Sequence, residues 1–244
     1  IAILACYMPL NKSKIITKKL LDYESTNILF NDLINIQIKE PLKEKKLVKS
    51  ITTLEMIDDI ISMKVRGQYE EHPYPRWRYT KKPLSRNFFK KINSIIAPNK
   101  INYNNKFNNP NILVAGCGTG THPISSTSSK NSNILAVDLS LTSLVYAKRK
   151  TEELDIKNIK YIQADILQLK KLNKKFDIIE SAGTIHHMMD PLKGLKALLD
   201  ILEPHGFMML GLYSETARKH IVKAREFIKE KNYKNTIQDI KICR

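Results

Sequence analysis

Three glycines stand at alternate positions in Ala115-Gly116-Cys117-Gly118-Thr119-Gly120-Thr121-His122, at the end of the apolar run Asn111–Cys117. Without a Cβ, such a backbone can turn tightly and lie close against a ligand. A dinucleotide-binding turn would carry Gly or Ala at position 121, where this chain has Thr121. The G-x-G-x-G spacing instead suits a ligand with no pyrophosphate to cradle, which makes Gly116, Cys117, Gly118 and Gly120 candidate contacts. Asp138 follows 22 residues after Gly116, flanked by Leu139. That offset lets a carboxylate accept both hydroxyls of a ribose, and Ser140 already suits the N-cap role that Asp138 could otherwise fill. Asp165, beside the apolar Ile166, could accept from an adenine amino group or cap the turn that follows. After the run Phe176–Ser181 come His186 and His187. Adjacent histidines rarely converge on one metal and no third ligand is evident, so no metal site is expected. An imidazole in a strand-end loop suits proton transfer near neutral pH. His186 and Glu180 are therefore the candidate proton acceptors, with His187, Tyr213 and Glu215 as candidate substrate contacts.

These residues need elements to position them. Asn111–Cys117, Asn133–Leu139, Lys160–Asp165, Phe176–Ser181 and Gly206–Tyr213 are short runs rich in Ile, Leu and Val. Helical stretches separate them, notably Leu141–Leu154, Pro191–Leu202 and Thr216–Lys231. Strands alternating with crossover helices predict an α/β fold, a Rossmann-like doubly wound parallel sheet with ligands at its carboxyl ends. Upstream, apolar residues at three- and four-residue steps predict helices over Ser25–Ile38, Lys43–Ile51 and Thr52–Val65, the last opened by a capping box at Thr52-Thr53-Leu54-Glu55. Two prolines forbid a helix in Pro73-Tyr74-Pro75-Arg76-Trp77. A short helix over Arg86–Ile96 and an Asn-rich loop, Asn102–Asn111, follow. The chain thus divides into an N-terminal helical segment (1–66), a Pro/aromatic connector (67–110) and the Rossmann-like domain (111–244). Gln68–Trp77 carries too much ring surface for an idle linker. It reads either as a lid, with Tyr69 or Arg76 reaching a ligand carboxylate, or as a plug that docks the helices on the sheet through Trp77.

Taken together, these residues resemble the class I S-adenosylmethionine-dependent methyltransferases. Val114-Ala115-Gly116-Cys117-Gly118-Thr119-Gly120 is similar to the family's first motif, Asp138 to its ribose acid and Ala164-Asp165 to its adenine-side acid. Phe176–Glu180 with His186-His187 and Asp190-Pro191 resembles its fourth-strand motif. Leu202-Glu203-Pro204-His205-Gly206 resembles its L-x-P-G-G turn, with His205 where Gly is usual, a departure expected to matter little. Gln68–Trp77 and Gly211–Arg218 further resemble an uncharacterised bacterial group whose domain often follows tetratricopeptide repeats; no internal repeat is visible here. The resemblance implies S-adenosyl-L-methionine as cofactor, held by the glycine turn, Asp138, Leu139, Asp165, Ile166 and Glu180, with Tyr69 and Arg76 from the connector. It implies methyl transfer to a small-molecule or protein acceptor, and a sheet of seven strands of which five are readable, so the closing strands are expected to be missing.

Composition narrows the alternatives. Lys plus Arg is 41 against 24 acids, a net charge of +17, yet only eight of the 41 are Arg. Nucleic-acid readers rely on Arg for bidentate contacts. A lysine-, asparagine- and isoleucine-rich composition reads as a solvated basic surface, so nucleic acid is disfavoured as a partner. Glu180-Ser181-Ala182-Gly183 also lacks the Pro-Pro-aromatic motif of base amino-group methylation. The leading apolar run, Ile1–Tyr7, is far short of a membrane span of about 20 residues; three cysteines cannot make a disulfide scaffold, and Cys6, Cys117 and Cys243 are too scattered for a metal cluster. A cytoplasmic enzyme is the expectation, with a cofactor-binding sensor or scaffold as the rival class.

Overall fold

The structure, a computed structural model, describes residues 1–102 and 107–243. Positions 103–106 of the Asn-rich loop and position 244 at the end of the expected domain lie outside the described residues. The N-terminal part is helical: α1 (Ala2–Ala5), α2 (Lys14–Leu20), α3 (Ile28–Ile34), α4 (Glu40–Leu47), α5 (Ile60–Glu71) and α6 (Phe88–Ile95). Asn27 caps α3 by accepting from the Leu29 and Phe30 amides, and a π-helical turn over Asn35–Lys39 joins α3 to α4. Leu10, Leu20, Ile34 and Ile38 form a small core of their own.

One stretch departs from its sequence reading. Thr52 and Thr53 form a short strand, β1, beside Ile162 and Gln163, and helix α5 starts only at Ile60, capped by Asp59. The Thr53 hydroxyl meets Gln163 Oε1 at 2.9 Å, and the Leu54 amide donates to the Gln163 carbonyl. β-Branched threonines have little helix preference, so an open sheet edge outweighs the local capping pattern. Helix α5 then runs unbroken across the expected boundary at 66/67.

The remaining strands are β2 (Asn111–Ala115), β3 (Asn133–Asp138), β4 (Ile159–Gln163), β5 (Phe176–Ala182) and β6 (Leu202–Gly211). All paired neighbours are parallel, in the order β1-β4-β3-β2-β5-β6, so the described sheet has six strands where five were readable. Helices α7 (Thr121–Ser126), α8 (Leu141–Glu153), α9 (Pro191–Asp200), α10 (Lys219–Glu230) and α11 (Ile237–Cys243) complete the chain. Successive strand residues point to opposite faces. Ile112 and Val114 accordingly join Phe88, Phe89, Leu144 and Ile178 in one core, while Leu113 and Ala115 join Phe176, Ile179 and Leu198 in the other. The chain moves from β2 outward through β3 to β4, then returns to the far side of β2 for β5. That reversal opens a crevice at the carboxyl ends of the central strands. His205 adopts φ +66° within β6, a left-handed conformation that glycine tolerates and histidine enters at a cost of about 1 kcal/mol.

An ion cluster docks the N-terminal helices on α8. The fully buried Arg149 donates from Nε to Glu44 Oε1 at 2.9 Å and from Nη1 to Glu153 Oε1 at 2.5 Å. Its Nη2 lies 2.9 Å from Glu40 Oε2, an ion-pair contact without hydrogen-bond alignment.

Candidate functional site

A cavity of about 460 Å³ opens at the strand ends, between the glycine turn, the β3, β4 and β5 termini and helix α5. The turn is built by packing as much as by ligand access. Gly116 has φ +76°, and a Cβ there would lie 2.1 Å from Thr184 Oγ1 of the loop after β5. At Gly120 (φ +95°) a Cβ would lie 2.6 Å from that of Ala147 on α8. Gly120, expected as a cofactor contact, thus packs against helix α8 and does not line the cavity.

Gly116, Cys117, Gly118, Asp138, Leu139, Asp165, Ile166, Tyr69 and His187 do line the cavity. Asp138 Oδ2 accepts from the Gly118 amide at 2.8 Å and Oδ1 from the Ser140 amide at 2.9 Å, which couples the end of β3 to the turn after β2. Each oxygen keeps a second lone pair for a further donor. Burial pushes the Asp138 carboxyl above its ordinary value, against the downward pull of these amides. Asp165 Oδ1 accepts from the Leu167 amide and caps the turn after β4, while Oδ2 has no partner among the described residues. Capping and ligand contact, which the sequence left as alternatives, are therefore compatible. Burial also raises the Cys117 thiol, with the Asp138 charge adding to it, so this wall is chemically quiet.

The connector covers this site. Its Tyr74 and Pro75, with Ile61, Ser62, Val65 and Tyr69 of α5, form one wall of the cavity. Thr119 Oγ1 donates to the Pro75 carbonyl at 2.6 Å, and Trp77 Nε1 donates to the Thr119 carbonyl at 3.0 Å. Glu70 accepts from the Leu141 and Thr142 amides, an acid at the positive N-terminus of α8. Ser140 caps the same helix through the Ser143 amide, as its sequence position predicts. The lid and the plug are two ends of one strap: Tyr69, Tyr74 and Pro75 wall the cavity, and Trp77 meets Tyr146 edge-to-face on α8.

Several expected contacts lie elsewhere. Arg76 pairs with Glu44 at 3.3 Å and stands over the Tyr146 ring, away from the cavity. Arg76→Ala is accordingly expected to leave S-adenosylhomocysteine affinity within about twofold and to cost under about 1 kcal/mol of stability, because Arg76 is half exposed and Arg149 still neutralises the buried Glu44; calorimetry and a melting curve check both. Glu180 does not line the cavity either. It is buried behind the wall, accepting from Ser126 Oγ and lying 3.1 Å from His122 Nε2. Burial raises this carboxyl, but His122, Ser126 and the Lys91 charge together bring it below its ordinary value. Glu180, expected as cofactor ligand and proton acceptor, thus stands outside the cavity lining. His186 also misses the cavity: its ring centroid lies 4.0 Å from that of Tyr213, and neither ring nitrogen has a hydrogen-bond partner among the described residues. Burial, then His187 and Arg218, lower its pKa. Tyr213 packs in that stack with Arg218 above it, and Glu215 is exposed; neither lines the cavity. Conversely, the sequence reading missed His122, which does. Its place two residues after Gly120 was the available signal.

S-adenosylmethionine fits the donor set on this structure's own terms. Asp138 offers two anchored carboxylate oxygens, Asp165 one unpartnered oxygen, and Leu139, Ile166, Met188 and Met209 an apolar lining. Among known proteins, the chain is 32% identical over 121 residues to an uncharacterised protein of a Synechococcus strain, covering 49% of this chain and 29% of that relative's length. The fold is similar to PKMT2 from Rickettsia typhi, with 21% identity, a TM-score of 0.50 and coverage of 68% of this chain and 32% of that one. It is also similar to N-methyltransferase NodS from Bradyrhizobium japonicum in complex with S-adenosyl-L-homocysteine (19% identity, TM-score 0.39, 46% of this chain and 56% of that one). Residues 106–241, more than half of the chain, match the methyltransferase-domain family, and the chain belongs to that family, carrying the class I S-adenosylmethionine-dependent methyltransferase domain.

Proposed function

We propose that this protein transfers a methyl group from S-adenosylmethionine to a small-molecule or protein acceptor. The observation that carries the reading is the junction at Asp138. One carboxylate ties the glycine turn to the end of β3 and still presents acceptor lone pairs to the cavity. When bound, the cofactor supplies a methyl already activated by its sulfonium. The chain's contribution is orientation: Asp138 and Asp165 fix one end of the ligand, and the strap from α5 to Trp77 excludes water above it. The cavity extends past the β5 end to Thr184, His187 and Met209, where an acceptor would approach. Two measurements test the reading. Titration calorimetry is expected to show saturable one-site binding of S-adenosylhomocysteine, and its absence overturns the proposal. Transfer of tritiated methyl from labelled S-adenosylmethionine into a pool of cellular proteins and metabolites separates an enzyme from a module that only holds the cofactor.

A further inference from the structure

His122 sits in the first turn of α7 and lines the cavity. Its Nε2 lies 3.1 Å from Glu180 Oε2, and Glu180 is only 6% exposed. The same carboxylate accepts from Ser126 Oγ one turn along α7, and Lys91 Nζ on α6 stands 3.9 Å from its other oxygen. An ionised carboxylate offers only acceptors, so Glu180 favours a proton on His122 Nε2, the tautomer whose lone pair is on Nδ1. Nδ1 has no hydrogen-bond partner among the described residues. A carboxylate fixing one ring nitrogen so that the other is free to take a proton is the arrangement of an oriented general base.

The geometry points to His122 as the catalytic proton acceptor of this site, with Glu180 as its positioning residue, and to an acceptor whose nucleophilic oxygen or nitrogen must lose a proton. This inference rests on the methyl-transfer reading. In the step, the acceptor's lone pair forms a bond to the methyl carbon as the carbon–sulfur bond breaks, its electron pair remaining on sulfur. The acceptor's own proton passes to His122 Nδ1, and the resulting imidazolium is balanced by Glu180. The other ionisable groups around His122 are Lys91 on α6, Cys117 and Asp138 at the β2 and β3 ends, and His187 after β5. Among the described residues none of these hydrogen-bonds or ion-pairs with the His122 ring, so Glu180 is the group that biases its tautomer.

The test separates a structural bond from a catalytic one. In His122→Gln the Gln Nε2 can still donate to Glu180, but the base is gone. The expected result is an unchanged melting temperature, S-adenosylhomocysteine affinity within about threefold and labelled methyl transfer reduced about a hundredfold or more. Transfer at the parent rate overturns the base while leaving the cofactor site standing; a parent that binds no S-adenosylhomocysteine overturns both. A second readout needs no acceptor. Nitrogen-15 NMR of the S-adenosylhomocysteine complex, assigned by loss of a signal in His122→Gln, is expected to show Nε2 protonated and Nδ1 bare at neutral pH. Glu180→Gln is expected to abolish that preference. A proton on Nδ1 in the parent, or a tautomer indifferent to Glu180→Gln, overturns the assignment.

Discussion

Asp138→Ala is expected to weaken S-adenosylhomocysteine binding by about 3 kcal/mol or more, over a hundredfold in Kd, because two charge-assisted hydrogen bonds are lost together. Calorimetry on the folded protein measures it, and affinity within threefold of the parent would remove Asp138 from the site. The variant also loses stability without ligand, since the Gly118 and Ser140 amides lose their acceptor. Asp138→Asn separates the two effects: its amide oxygen keeps one acceptor for the turn but cannot serve both amides. The pH dependence follows in sign. Burial raises the folded carboxyl above its unfolded value, so its stabilising contribution is complete below the unfolded pKa and is lost as pH rises through the folded one. Ligand hydroxyls favour the ionised form and lower that pKa again, so S-adenosylhomocysteine is expected to stabilise the protein more at neutral pH than in mild acid. Melting curves with and without ligand check it.

Arg149→Met is expected to cost about 3–5 kcal/mol of folding stability, the loss that follows when a buried ion pair is left with one partner. Three carboxylates converge on this guanidinium, and Glu44, only 8% exposed, would retain just the longer contact to Arg76. Lysine would not restore it, because a single ammonium cannot reach three acceptors spread around a planar fork. Denaturant unfolding measures the loss, and a change below about 1 kcal/mol would make the cluster incidental. In the fraction still folded, S-adenosylhomocysteine affinity is expected to be unchanged, since Arg149 does not line the cavity.

Both outcomes mark where the sequence was informative. The glycine turn, Asp138 and Asp165 were legible because each is a local signal at the end of an apolar strand run, and a parallel sheet places all such ends on one edge. The five main strands and the helices between them follow from the same short-range periodicity. What lay hidden were partnerships between residues far apart in the chain. Glu70 meets the first amides of α8, Glu180 meets His122, and Arg149 meets Glu44. No spacing rule connects such pairs. Arg76 looked like a carboxylate clamp because its fork can bind both oxygens of a carboxylate, but Glu44 already holds it. Thr52 and Thr53 carried a helix-start pattern that an unpaired edge of β4 overrode. By itself, then, the sequence determined the five main strands and the acids at their carboxyl edge, all products of local patterning. The tertiary structure alone decided which charges neutralise one another and that His122 joins His187 in lining the cavity, because buried charges are settled by whatever partner the fold brings within hydrogen-bond reach.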